Sequence, residues 1–593
     1  MKKIITTLLI SLLYSNVLSA QNRPNIVFIL AHDLGWSDTS CYGSTFYKTK
    51  YIDQLADSGI KYTSAYANSP NGTSSRASII SGQVNARTGI YNAVDATQGL
   101  AKYRSTISPA SKKELPLDKF TLGNALQYAG YSTAFFGKWN VGEARGYRFN
   151  ERGFEEGFQI NKSIQNEHGN LATYPSLEAI ESESGVRYLK EQTYLSDFIT
   201  DNAVSYIERH AKDHKPFFMM VSQFFVNDSI EGPGSSVEEA TKNSKMNPDT
   251  EMTAMTLNLD KCVQLITKKL REKGVLENTL IVFMSANGGV SNLLKGGKNN
   301  VYEGGIRVPL IVSWPNKIRK GQVSEDLIVG TDLYPTFLEI AGINSDQYQK
   351  QKEYILDGES FKNQWLKRKS INRKKPVVFH FPAYVPHPEE TAEGQWIASP
   401  MAAVNDGEFK LIIHLTSNKK ELYKRSDDIG EYKDLSLKFP EKVKSLTKVY
   451  DHWVEETGAL KPVKREAVGL GWGKRQFQEN NEDLKKILND VSPNQGIVLM
   501  DYVVTKKDQN TAKAVIHEIL YELNGKPINS LKDLEKVVST LKIGDDVIYK
   551  YSYSGKRKKR TIKVTETTTH TIDFQLDSCT DTKSVYSRSA IDF

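Results

Sequence analysis

The sequence predicts an α/β chain: a mostly parallel sheet flanked by helices, a small C-terminal strand-rich lobe, then a further α+β module. Two patterns carry this prediction. Apolar runs without polar alternation, such as Asn25–Ala31 (NIVFILA), read as strands covered on both faces. Between such runs lie amphipathic stretches of helical spacing, and strand–helix alternation of this kind builds a parallel sheet. The length agrees, because 593 residues exceed what one ordinary core organises.

The elements follow in order. Lys2 and Lys3, the apolar run over residues 4–13 and the small residues of Val17–Ala20 read as an export signal, 1–20. The run is shorter than the ~20 residues that span a bilayer, so no transmembrane segment is predicted. The expected location is periplasmic or secreted. After the strand Asn25–Ala31, Ile52–Ile60 has helical spacing and closes at Gly59. Further buried strands are expected at Ser132–Phe136, Phe217–Phe224, Thr279–Ser285 and Val308–Trp314. Helices are expected at Leu122–Ala129, Ser196–His210, Glu251–Lys273 and Leu333–Ala341. Ala402–Leu415 and Glu421–Tyr423, followed by a helix over Pro440–Trp453, read as the smaller lobe that closes a first domain, 21–460.

Composition shifts over 461–481, which reads as a linker. From 482 to 566 the pattern is strand, strand, helix, strand: Gly496–Val504, Ile516–Asn524, Leu531–Leu541 and Asp546–Ser552, with Ile562–Val564 pairing last. The basic run Gly555–Arg560 sits where a hairpin turn belongs and reads as a solvated turn, not a nucleic-acid patch. The remainder, 567–593, is polar and expected to fray.

Composition narrows the function classes. With 39% hydrophobic, 25% charged and 10% aromatic residues, the chain is neither collagen, rod nor wholly disordered. Three cysteines cannot build a disulfide framework. A net charge of +8 demands neither nucleic acid nor a membrane surface as partner.

Several blocks between residues 23 and 457 resemble the formylglycine-dependent sulfatases of the alkaline-phosphatase superfamily. They are RPNIVFILAHDLGW (Arg23–Trp36), SPNGTSSRASIISG (Ser69–Gly82), GKWNVG (Gly137–Gly142) and KPFFMMVSQFFVN (Lys215–Asn227). SANGG (Ser285–Gly289), LKGGKNNVYEGGIRVPLIVSWP (Leu294–Pro315), GEFKLI (Gly407–Ile412) and ELY (Glu421–Tyr423) complete the set. The resemblance implies an alkaline-phosphatase-like fold and sulfated polysaccharide or oligosaccharide as the substrate class.

It also implies a degenerate site. The family oxidises a cysteine four residues before an arginine to formylglycine, the nucleophile. Here the arginine is Arg76 and the earlier position is Gly72, which has no side chain to attack with. The family binds Ca²⁺ through two consecutive aspartates, the formylglycine and an Asp-Asn pair. These positions read His32-Asp33, Gly72 and Ala286-Asn287, so only Asp33 and Asn287 match. Ca²⁺ takes six to eight oxygen ligands, and His32 with Asp33 falls short of a zinc site. No cofactor is therefore expected, Ca²⁺ being the exception if the family site is kept. Two acid/base histidines of the family read Asn140 and Asn227, and asparagine cannot shuttle a proton.

Arg76, Lys138 and Lys298 match the family's sulfate-binding cations, which leaves a pocket suited to sulfate or another anion. Thr73 is an alternative nucleophile for an active sulfatase or phosphoester hydrolase; the other reading is a helix-capping hydroxyl. The segment Asn524–Val564 resembles a PDZ domain, which implies a peptide or protein partner and a scaffolding alternative.

Overall fold

The computed structural model describes residues 23–92, 104–160, 180–182, 185–187, 195–213, 215–224, 250–289, 294–367, 373–386 and 396–464. Towards the C-terminus it describes 497–505, 512–527, 536, 546–553, 556–568, 571–575 and 584–592. The export signal and most of the linker lie outside these residues. So does the helix expected at Leu531–Leu541, apart from Lys536. The chain divides into two compact units, one of 1–94, 111–382 and 400–460, the other of 95–110, 383–399 and 461–593.

In chain order the first unit begins with β1 (Asn25–Ala31), α1 (Lys50–Asp57), β2 (Ile60–Tyr62), α2 (Gly72–Ser81), α3 (Leu122–Tyr128) and β3 (Ser132–Lys138). It continues with β4 (Glu156–Ile160), α4 (Leu195–His210), β5 (Phe217–Ser222), α5 (Thr250–Glu272), β6 (Thr279–Ser285), β7 (Leu310–Ser313) and α6 (Leu333–Ile340). The smaller lobe holds β8 (Val377–Phe381), β9 (Met401–Asn405), β10 (Phe409–His414), β11 (Lys420–Lys424) and α7 (Pro440–Thr457).

β1 lies at the centre of a ten-stranded sheet, parallel to β6 on one side and to β5 on the other. β3 runs parallel to β5, and β4 to β3. All seven residues of β1 are buried, and the reason is visible in where alternate side chains go. Ile26, Phe28 and Leu30 enter a core with residues of α2, α3 and α6, whereas Val27, Ile29 and Ala31 enter a second core with α1, α4 and α5. Two apolar faces need no polar alternation, and each large side chain so buried contributes roughly 1.5–3 kcal/mol.

Two expectations change in detail. The strand expected at Val308–Trp314 is β7, but it runs antiparallel to β6. Its connection from Ser285 holds only one short described helix, Glu303–Ile306, and a parallel return needs a full crossover. Gly59 is not the helix stop: α1 ends at Asp57 and is capped by Ser58 in ordinary right-handed backbone. Gly59 is required because an added Cβ would collide with the Val312 carbonyl oxygen of β7.

In the smaller lobe the stretch read as one run, 402–415, is the hairpin β9–β10, turned through Gly407 at φ 100°. β8, absent from the sequence reading, pairs with β9 to make a four-stranded antiparallel sheet. α7 packs Leu446 and Tyr450 against it. Lys410 of β10 is fully buried and reaches Glu303 at 2.8 Å and Glu431 at 2.9 Å. Glu303 also accepts from Arg307 and from the Tyr66 hydroxyl, both at 2.9 Å. This charged knot ties the lobe to the segments beside the main sheet.

The second unit is strand-rich. Thr106–Ile107 pairs with Val463–Lys464, and Val385–Pro386 with Trp396–Ala398. Ile497–Thr505, Ala512–Leu523, Asp546–Tyr553 and Lys556–Thr568 form an antiparallel sheet. Thr571–Gln575 and Ser584–Asp592 extend it, the latter against Ile497–Thr505. These two strands fall where a frayed tail was expected; their Thr, Val, Tyr and Ile residues suit strands despite the polar composition. The unit also draws in 95–110 and 383–399, which no composition shift marks.

Two outcomes test this packing. Gly59→Ala should cost about 1–3 kcal/mol in denaturant unfolding, since the methyl meets backbone that cannot rotate away. Lys410→Met should cost about 3–5 kcal/mol by stranding two buried carboxylates. Burial pushes the Glu431 carboxyl up to about 7, against the pull of Lys410. A carboxyl raised in the folded state contributes stability at low pH and loses it as pH climbs through the folded value. Glu431→Gln should therefore flatten the fall in stability between about pH 4.5 and 7, measured against wild type.

Candidate functional site

β6, β1, β5 and β3 are neighbours in that order, and the residues that end or follow β6, β1 and β3 converge at the carboxyl ends of the strands, where open α/β sheets place ligands. His32 and Asp33 follow β1, Lys138 closes β3, and Ala286 and Asn287 follow β6. α2 supplies Gly72, Thr73 and Arg76, with its first turn capped by Asn71 Oδ1 accepting from the Thr73 N–H at 3.2 Å. Lys298 arrives on a loop whose Gly296, Gly297 and Asn299 take positive φ of 93°, 69° and 69°. That loop is held by Lys298 N–H to Gly289 O at 2.8 Å and Asn299 N–H to Pro70 O at 2.9 Å. Asn71 Nδ2 donates to Asn299 Oδ1 at 3.2 Å, so one residue both caps the helix and fixes the lysine loop.

The Asp33 carboxylate lies at the centre of the cluster and is 1% exposed. Lys298 Nζ donates to its Oδ2 at 2.7 Å and Asn287 Nδ2 to its Oδ1 at 2.6 Å. His32 Nδ1 lies 3.1 Å from the same Oδ2. Burial alone would raise Asp33, but His32 and Lys298 hold it well below the usual carboxylate range. On the far edge of the imidazole, Lys138 Nζ is 3.0 Å from His32 Nε2 and 4.8 Å from the centre of the Phe224 ring. Burial pushes His32 down to about 3, with Lys138 and Arg76 adding to the effect, so the ring is neutral at physiological pH.

Arg76 is fully buried. Its Nη1 donates to Gly72 O at 3.4 Å, while Nε and Nη2 have no partner. Burial lowers its pKa to about 10, which still leaves the guanidinium charged. A Cβ built on Gly72 would lie 2.5 Å from His32 Nε2 and 2.8 Å from Asn287 Oδ1. Ala286 is buried and its N–H donates to Ala31 O at 2.9 Å, continuing the β1–β6 ladder. Asn140 follows Trp139 in left-handed backbone at φ 51°, and Asn227 lies outside the described residues.

The donors do not fit Ca²⁺. Asp33 and Asn287 bring three oxygens between them, and an ammonium already engages one of these. No group of three or more His, Cys, Asp and Glu side chains suited to a metal occurs among the described residues. Sequence reasoning missed Lys295, whose Nζ donates to the Tyr423 hydroxyl at 2.8 Å and sits 4.2 Å from the Tyr302 ring centre. This clasp anchors the base of the Lys298 loop to the smaller lobe. Its only sequence signal is a lysine three residues ahead of Lys298, and of its two aromatic partners Tyr423 is distant in the chain.

Comparison with known proteins agrees with this arrangement. The family model for sulfatases matches residues 24–343, and that for the N-sulphoglucosamine sulphohydrolase C-terminal region matches 297–455. A sulfatase of Formosa agariphila is 29% identical over 510 residues, 74% of this chain and 90% of that protein. Human arylsulfatase A is 29% identical over 359 residues, and the match spans 55% of this chain and 65% of the human protein. Among solved structures, Ps i-CgsB in complex with k-i-k-neocarrahexaose superposes with a TM-score of 0.62 at 23% identity, covering 78% of this chain and 99% of its own. A protein solved with its substrate D-glucosamine-2-N,6-O-disulfate gives 0.55 at 20% identity, covering 75% and 100%. At such identities the two structures speak for the fold. Strand order, the cluster at the strand ends and a family match over more than half of the sequence lead to one conclusion: this chain belongs to the sulfatase family.

Proposed function

We propose that this protein is an exported member of the family that recognises sulfate groups on sulfated polysaccharide or oligosaccharide and lacks the formylglycine route to their hydrolysis. The observation that carries this reading is Arg76. A buried guanidinium with two N–H-bearing nitrogens unpartnered costs about 1–3 kcal/mol or more in the folded state. Such a group is retained when a ligand completes it, and a planar, charged fork suits an oxyanion, carboxylate or tetrahedral; the family likeness favours sulfate. Lys138 and Lys298 stand on two other sides of the same cluster, with Asp33 the carboxylate they share it with. Two structural relatives solved in complex with saccharides support a sugar carrier for the anion.

The chemistry of attack has no residue to run it. Gly72 offers no nucleophile, and Asn140 and Asn227 cannot exchange protons near neutral pH. His32 is held neutral and weakly basic by burial among cations, which suits a wall of the pocket more than a general base. Thr73 is a weaker alternative: among the described residues no hydrogen bond ties its hydroxyl to a base, and Asn71, not this hydroxyl, caps the helix.

Arg76→Met tests the reading in two directions at once. If the guanidinium serves a ligand, the variant should equal or exceed wild type in unfolding temperature without anion. It should also lose at least tenfold in affinity for a sulfated oligosaccharide, measured by calorimetry. A protein that ignores sulfated oligosaccharide at millimolar concentration, or that hydrolyses aryl sulfate at enzymatic rates, contradicts the proposal.

A further inference from the structure

The volume beside Gly72 is filled. His32 Nε2 lies 2.5 Å from where a Cβ of residue 72 would stand, and Asn287 Oδ1 lies 2.8 Å from it. Real side chains do not tolerate such a separation, so a side chain at 72 and the imidazole at 32 exclude each other. The imidazole is held by the Lys138 ammonium at 3.0 Å on Nε2, with Asp33 Oδ2 3.1 Å from Nδ1 but outside hydrogen-bond geometry. Lys298, at 2.7 Å, occupies the Asp33 oxygen that a divalent ion would need.

We propose that this site works without the divalent ion that the family likeness implies, and that Gly72 and His32 are the interlocked pair that closes the gap. Of the three aspartates in that implied donor set, this chain keeps Asp33 and replaces the other two with His32 and Ala286. The imidazole takes over the space beside Gly72. The glycine at 72 and the imidazole at 32 then form one linked change: a side chain at 72 requires the imidazole to leave. The inference rests on the reading of this cluster as an anion pocket, but its steric half stands independently of any ligand.

The test is a double-mutant cycle on the full chain, read by thermal unfolding, together with a metal titration of the wild type. Residue 72 opens α2, where alanine is intrinsically favoured over glycine, so Gly72→Ala raises stability wherever there is room. In the wild-type background it should instead lower the unfolding temperature by about 3–8 °C; with His32→Ala also present, only the Asn287 contact remains and the loss should be at most half as large. A Gly72→Ala effect of equal sign and size in both backgrounds overturns the interlock. If the His32→Ala variants do not fold, the wild type still decides. Millimolar CaCl₂ or EDTA should leave its unfolding temperature unchanged and its affinity for inorganic sulfate within twofold. A Ca²⁺-dependent rise in either overturns the metal-free site even if sulfate binds. Absence of sulfate binding, with the smaller loss in the His32→Ala background present and Ca²⁺ without effect, counts against the anion reading and leaves the interlock intact.

Discussion

The contact on which the site depends is the ion pair between Asp33 and Lys298, 2.7 Å long, with the carboxylate out of water and the lysine side chain 23% exposed. A buried carboxylate is tolerable only if its charge is answered at close range. Asp33 sits where β1 ends, so its answer must come from whatever segments reach that end of the sheet. Lys298 comes from the loop after β6, Asn287 from the end of β6 itself, and His32 from the preceding residue. The single carboxylate thereby holds together pieces far apart in the chain. The loop that brings Lys298 is in turn clasped to the smaller lobe through Lys295, Tyr302 and Tyr423.

The sheet was legible in the sequence because its central strands are buried on both faces. A run such as NIVFILA has no other economical reading, and β3, β5 and β6 follow the same rule. What escaped was direction and purpose. β7 is as apolar as β6, and nothing in its residues records that it runs the other way. Gly59 reads as a helix stop by local convention, whereas its cause is the β7 backbone some 250 residues later. Strands over 571–592 escaped because serine and threonine suit a strand and a frayed end equally well.

The site divides along the same line. Motif blocks located His32, Asp33, Gly72, Arg76, Lys138, Asn287 and Lys298, and the structure draws all seven into one cluster. The residues that set their geometry were invisible. Asn71 caps α2 and holds Asn299, Phe224 backs Lys138, and Lys295 pins the loop. Each acts through a partner remote in sequence, and no spacing rule connects them.

Buried cations elsewhere in the chain give the strongest argument that Arg76 is not simply tolerated. Lys410, equally buried, meets two carboxylates. Arg373 grips Asp332 with two nitrogens at 2.7 and 3.0 Å. Arg152 reaches three backbone carbonyls with its two terminal nitrogens. The fold therefore has the means to satisfy a guanidinium or ammonium taken out of water, and uses it repeatedly. At Arg76 it supplies one long hydrogen bond to its own helix, and the nearest carboxylate is engaged by Lys298 and Asn287. Arg76 is thus left with two of its three nitrogens unpartnered, where each of those three cations meets at least two acceptors, and this is the deficit that the proposed anion would fill.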